Sequence, residues 1–169
     1  GATNRNVIAE GAVSKMLKPV KLGSPTPLMH RRNAKLITTG NTEDSLDLIK
    51  DADLIIEVVL ERLDVKHEVF RKIEEFRKKG SIITSNTSTI PREQLVEGMT
   101  ESFAKDFMIT HFFNPPRYLR LLEIVSGSEV SQEKVQIVSD FCDINLGKEV
   151  VVCNDTPGFI GNRIGTYWT

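Results

Sequence analysis

A chain of 169 residues with 40% hydrophobic content is long enough to bury one core, and 22 Lys and Arg against 23 Asp and Glu leave a formal net charge of -1. No dense basic block of the kind nucleic acid selects is present, and no apolar run approaches the about 20 residues of a membrane span, so neither partner is expected. Residues 1–6 lack the pattern of a secretory leader, and Cys142 and Cys153 stand outside any CxxC spacing, which points to two half-buried thiols in a reducing, cytoplasmic setting.

Residues 4–18 have helical composition, with Ile8, Ala12 and Met16 at four-residue spacing and Leu17 beside them. Pro19, Gly23, Pro25 and Pro27 then break the path, and Ser24-Pro25-Thr26-Pro27 opens a short helix through Met29 and Arg32. His30, beside Arg31 and Arg32, reads as solvated. Lys35-Leu36-Ile37-Thr38-Thr39 is a β-branched run closed by Gly40-Asn41, the pattern of a strand and turn. Residues 44–50 suit one or two helical turns. Residues 53–61 are nearly continuous in apolar side chains, which predicts a parallel strand buried on both faces, with Glu57 inside it and without an assignable partner.

Residues 64–79 give the strongest helical pattern: Val65, Val69, Ile73 and Phe76 recur with Phe70 alongside, and Gly80 stops them. His67, between Lys66 and Glu68, reads as exposed. A strand at 81–85 completes a strand, helix, strand unit, whose right-handed crossover makes the sheet parallel. Pro91 stands in the first turn of a short helix to about Val96, residues 106–110 form the next strand, and Glu123 falls in the one after. Ser131 reads as an N-cap with Glu133 in the first turn, and Val135, Val138, Phe141 or Cys142, and Leu146 make a buried stripe ending at Gly147. A strand at 149–153 leads through Asp155-Thr156-Pro157-Gly158 to a helix beginning near Phe159. The sum is one α/β domain over residues 1–169, a doubly wound, mostly parallel sheet flanked by helices.

The most informative run is Thr110-His111-Phe112-Phe113-Asn114-Pro115-Pro116. An imidazole after the apolar Phe107-Met108-Ile109, stopped by an Asn-Pro-Pro turn signal, is held at the C-terminal edge of a strand. In an open α/β sheet that edge is where ligands bind. Glu123, in Leu121-Leu122-Glu123-Ile124-Val125, is a carboxylate in a second apolar run and is costly there unless paired. His111 is the candidate partner.

Ser85-Asn86-Thr87-Ser88, His111-Phe112-Phe113-Asn114-Pro115, Glu123 and Asp155-Thr156-Pro157-Gly158-Phe159-Ile160-Gly161-Asn162-Arg163 occur in one order over more than half of the chain. Together they resemble the signature of the 3-hydroxyacyl-CoA dehydrogenase family. The resemblance implies a Rossmann-like fold and NAD-dependent oxidation of a 3-hydroxyacyl-CoA to the 3-ketoacyl-CoA, in fatty acid β-oxidation or butanoate metabolism. That reaction takes a hydride from C3 and a proton from its hydroxyl. Imidazole suits the base because it exchanges a proton near neutral pH, and a carboxylate on the far ring nitrogen fixes its tautomer. The resemblance assigns His111 as the base and Glu123 as its partner, with Ser88 and Asn162 steadying charge on the reacting oxygen. It carries cofactor contacts onto Glu61, Lys66, Asn86, Ser88 and Asn114, all of which follow strand ends. Without the resemblance, Ser-Asn-Thr-Ser suits any strand-to-helix turn, Asn162 a solvent-facing helical position, and Glu61 with Lys66 an exposed ion pair.

The family opens on a G-x-G-x-x-G turn that lets backbone approach the pyrophosphate, and this sequence holds no G-x-G. Gly158, Gly161 and Gly165 follow the wrong segment to replace it and read as close helix packing. The expectation is a truncated Rossmann-like domain, without the family's helical C-terminal domain, that turns over weakly by itself and joins a copy of itself or a complementary chain. The basic residues between 15 and 35 suit CoA phosphates or, more simply, a solvated face. Two further readings stay open. One is a Ser88, His111, Glu123 hydrolase, although Ser88 lacks the G-x-S-x-G elbow. The other is a non-catalytic remnant that binds acyl-CoA or a partner chain.

Overall fold

A computed structural model describes residues 4–21 and 24–168. Residues 1–3 of the opening stretch and the breaker Gly23 lie outside the described residues. The chain divides into two compact units, residues 1–48 and 49–169.

In the first unit, α1 (Val7–Met16) forms as its composition predicts, but its half-buried line is Ala9, Val13 and Leu17. The expected stripe faces outward, with Ile8 84% exposed. Both lines have four-residue spacing, so periodicity selected the helix but not its inner face. The strand expected at 35–39 does not form. A 3-10 helix, Arg31–Leu36, takes its first two residues and is capped by His30, whose Nδ1 accepts from the Arg32 amide. Ile37 keeps extended dihedrals (φ -104°, ψ 115°), but its amide bonds back to the Ala34 carbonyl at 3.2 Å, closing the 3-10 turn in place of a ladder among the described residues. Bends replace the short helix expected from Ser24, and a second 3-10 turn, Leu46–Ile49, falls where helical turns were expected.

The second unit is built on five strands in chain order: β1 (Leu54–Glu57), β2 (Ile82–Ser85), β3 (Phe107–Phe112), β4 (Leu121–Ser126) and β5 (Glu149–Cys153). β1, β2 and β3 are parallel, β4 runs antiparallel to β3, and β5 is parallel to β4. α2 (Leu63–Phe76) joins β1 to β2, α3 (Arg92–Val96) and α4 (Glu101–Asp106) join β2 to β3, α5 (Gln132–Asp140) joins β4 to β5, and α6 (Gly161–Tyr167) follows. Right-handed crossovers place α2, α3 and α4 on one face, and the reversal at β4 sends α5 to the other. The packing agrees. Phe70, Leu95 and Phe103 meet Ile83, Phe107 and Ile109 in one core, while Val135, Val138 and Cys142 meet Ile82, Met108 and Ile124 in the other. The expected doubly wound, mostly parallel sheet is therefore present.

Its details correct several sequence expectations. β1 is shorter than the 53–61 run and is not buried on both faces: as the edge strand it buries Ile55 and Glu57 and leaves Ile56 42% exposed. The buried line of α2 is Lys66, Phe70 and Ile73, whereas Phe76 is exposed. Pro91 is the N-cap of α3, one position before its first turn. Beyond α5 a π-helical turn, Phe141–Asn145, widens the winding, so Cys142 is buried and Phe141 and Leu146 are not. α2 ends at Phe76, with extended Arg77 as its C-cap, short of the Gly80 stop expected; Gly80 (φ 86°) serves the turn before β2, whereas Gly147 (φ 66°) closes the winding after α5 and Ser131 caps α5 by accepting from the Lys134 amide, as expected. No described helix is long and apolar enough to cross a membrane.

Candidate active site

The reversal between β3 and β4 puts His111 directly opposite Glu123 in the ladder. Both side chains lie on the α2 side of the sheet and are buried, and His111 Nδ1 is 2.8 Å from Glu123 Oε2. The other carboxylate oxygen, Oε1, accepts from the amides of Ile160 (2.9 Å) and Gly161 (2.7 Å). An ionised Glu123 held this way accepts the Nδ1 proton of a neutral imidazole, and Nε2 is left with its lone pair. Phe113 and Phe159 flank the imidazole, with ring centroids 4.5 and 5.6 Å from it.

The segment that clamps Glu123 is shaped by two glycines. Gly158 has φ 76° and Phe159 φ 49°, a turn that drives the Phe159 ring into the core. A Cβ on Gly161 would stand 2.5 Å from Phe113 Cζ, so the backbone approaches Glu123 only because that Cβ is missing. Close packing, expected of these glycines, describes Gly161. At Gly165 a Cβ meets nothing within 4 Å.

Ser88 lies half-buried in the loop after β2, and its carbonyl accepts from Asn162 Nδ2 at 3.3 Å. Asn162 directly follows the two residues whose amides hold Glu123. The four residues expected at one hollow therefore form two bonded pairs, His111 with Glu123 and Ser88 with Asn162, joined through residues 160–162. No hydrogen bond links Ser88 Oγ to His111, so nothing supports the hydrolase arrangement.

Glu57, the carboxylate without an assigned partner, meets Lys66 Nζ at 2.9 and 3.0 Å and accepts from Ser85 Oγ. Lys66 also faces Glu61 at 3.3 Å. With Lys66 only 1% exposed, the exposed-ion-pair alternative does not hold. Sequence reasoning missed this network, although Lys66, Phe70 and Ile73 share one helical line and a carboxylate in an apolar strand requires a cation or donors. Glu61 takes the Thr87 hydroxyl and the Ser88 amide. Partial burial works to raise its carboxyl, but the Thr87 hydroxyl, the Ser88 amide and Lys66 outweigh it and hold the group below the usual range. Burial, with the Glu123 carboxylate beside it, pushes the Cys153 thiol up to about 11.

The remaining expected contacts stand along the carboxyl ends of β2 and β3. Asn86 Oδ1 accepts from the Phe112 amide at 2.9 Å, which fixes the end of β2 beside His111 and leaves the Asn86 NH2 group unused by that bond. Asn114 is exposed and precedes the cis bond to Pro115. His67 is half-buried, 3.0 Å from the Gln94 carbonyl, and is not the exposed group expected. Among the described residues no three His, Cys, Asp or Glu side chains gather as a metal site.

A family profile described as the NAD-binding domain of 3-hydroxyacyl-CoA dehydrogenase matches residues 5–156. The chain belongs to the 3-hydroxyacyl-CoA dehydrogenase family. It is 44% identical over 164 residues to a probable 3-hydroxyacyl-CoA dehydrogenase of Deinococcus radiodurans, a match covering 97% of this chain and 46% of that protein. It is 48% identical over 143 residues to a putative fatty acid oxidation complex trifunctional enzyme of Rickettsia felis, covering 85% of this chain and 20% of that one. Among solved structures, the 3-hydroxybutyryl-CoA dehydrogenase of Escherichia coli K12 superposes with a TM-score of 0.77 at 29% identity, over 92% of this chain and 32% of that one. The chain thus spans less than half the length of these relatives. Its cofactor is NAD, and the donor set at the rim fits part of it: the Glu61 carboxylate, the Asn86 and Asn114 carboxamides and the Ser88 hydroxyl suit ribose hydroxyls and a nicotinamide carboxamide. The set offers no free cation for phosphates, because Lys66 is enclosed between two carboxylates.

Proposed function

We propose that the protein bearing this chain oxidises the 3-hydroxyl of a 3-hydroxyacyl-CoA to a ketone, in fatty acid β-oxidation or butanoate metabolism in the cytoplasm. The observation that carries the reading is the buried His111 and Glu123 pair, with the second Glu123 oxygen tied to two backbone amides. Glu61, Asn86, Ser88 and Asn114 would hold NAD, which when bound supplies the acceptor for the C3 hydride. His111 Nε2 takes the proton of the hydroxyl as the C3–O double bond forms. Glu123 keeps the ring in the Nδ1-protonated tautomer and stabilises the imidazolium that results. Because both Glu123 oxygens are already occupied, the carboxylate orients the ring and does not compete for the substrate proton. Ser88 and Asn162 steady the negative charge on the oxygen at C3. Phe113 and Phe159 keep water from the imidazole. The outer edge of β1, which pairs with no described strand, supports association with a copy of the chain or a complementary one.

The test uses binding as well as turnover, since the relatives are longer. In the 15N-labelled chain, acetoacetyl-CoA with NAD is expected to shift the amides of Ser88, His111 and Asn162. Turnover of 3-hydroxybutyryl-CoA, followed as NADH absorbance, is expected to fall by about 10²- to 10⁴-fold on His111→Gln, with NAD affinity retained. A ligand response confined to residues remote from these three would sink the proposal, as would full activity in His111→Gln.

A further inference from the structure

The loop after β2 hangs from one carboxylate. Glu61 Oε1 accepts from Thr87 Oγ1, from the Ser88 amide at 3.0 Å, and from the amide and hydroxyl of Thr89 at 3.3 and 3.2 Å. Its other oxygen faces Lys66 Nζ at 3.3 Å. Lys66 is anchored in turn by Glu57, which also takes the Ser85 hydroxyl and the Val59 amide. A continuous set of polar contacts thus runs from inside β1, through the first turn of α2, to the backbone on either side of Ser88.

We propose that Glu61, backed by Lys66, is a positioning residue that sets the Ser88 loop and so aims the Ser88 hydroxyl at the oxygen on C3. The proposal rests on the reading of Ser88 given above and adds to it a role for Glu61. Four donors converging on one oxygen do what an ordinary surface pair cannot. A surface pair holds two side chains loosely, whereas here two backbone amides are fixed, and with them the dihedrals of the residue between β2 and α3 that carries the hydroxyl. Lys66 supplies the counter-charge that keeps Glu61 turned inward although its side chain is 41% exposed.

The experiment uses the 15N-labelled 169-residue chain without NAD. In the wild type, the Ser88 and Thr89 amides are expected to be protected from exchange, and their shifts to titrate with a midpoint below the usual glutamate range. Glu61→Ala is expected to abolish that titration and to speed exchange at these two amides by about tenfold or more, with the β3 and β4 amides unchanged. Glu61→Gln retains a carbonyl oxygen for the loop but does not titrate, so most of the protection should return while the pH response stays lost. If Glu61→Ala fails to fold, the Glu61→Gln spectrum decides: a surviving titration at Ser88 overturns the proposal. Exchange in Glu61→Ala within about twofold of wild type also overturns it, as does an unaltered Ser88 response to acetoacetyl-CoA. A wild-type chain in which Ser88 and His111 both ignore acetoacetyl-CoA overturns the reading of the site and the substrate end of this proposal. The exchange rates then still report whether Glu61 holds the loop.

Discussion

Gly161 sets how near the backbone comes to Glu123. In Gly161→Ala the new methyl must displace the Phe113 ring, which stands 2.5 Å from its position and also flanks His111. We expect a loss of about 1–3 kcal/mol in urea unfolding, typical of an overpacked site, together with broadened His111 ring signals. Gly165→Ala, with open space around it, should stabilise α6 slightly. The two thiols give a second prediction. Burial raises both, Cys142 with only partial relief from Lys148 and Cys153 to about 11. A thiol raised in the fold keeps its proton where the unfolded chain has lost it. The stability it contributes is therefore complete below about pH 8.5 and declines as the pH climbs toward 11. At pH 8 iodoacetamide should label neither cysteine in the native chain and both in urea. The pairing of His111 with Glu123 was legible because each is an ionisable group in an apolar run. Lys66 was not, because a lysine in a helix is read as surface unless its place on the buried line is checked.

At the level of elements, α3 starts directly after the Ser88 loop and is capped from far along the chain. Asp155 accepts from the Arg92 amide at 2.7 Å and the Glu93 amide at 2.9 Å. Asp155→Ala should cost about 0.5–2 kcal/mol, the range for a lost N-cap, read by urea denaturation. Helices with a strong apolar stripe, such as α2, were legible within a few residues. So were β2, β3 and β5, where β-branched runs sit between turn signals. The run at 35–39 had the same local pattern and failed, because a strand needs a neighbour and sequence does not say where neighbours are. β1 was overread for a related reason: an apolar run predicts burial on both faces, but an edge position in the sheet leaves Ile56 uncovered.

Across the whole second unit, stability rests on two cores separated by the sheet. The core under α2, α3 and α4 is organised by Phe70, Phe103 and Phe107, whose ring centroids lie 5.1 to 5.2 Å apart. Phe103→Ala should cost about 3–5 kcal/mol in urea unfolding, whereas Ile144→Ala, at an exposed position, should leave the midpoint nearly unchanged. Fold class was readable from alternating strand and helix patterns. The reversal at β4 has its own signal in the connection: about eight residues separate β3 from β4, fewer than the dozen or so that a parallel crossover takes. That reversal has a practical outcome. Since His111 and Glu123 meet as rungs of adjacent strands, the exposed residues 114–120 can be lengthened or exchanged while the two side chains stay opposed. Deleting a single residue inside either strand would turn one partner of that pair to the opposite side.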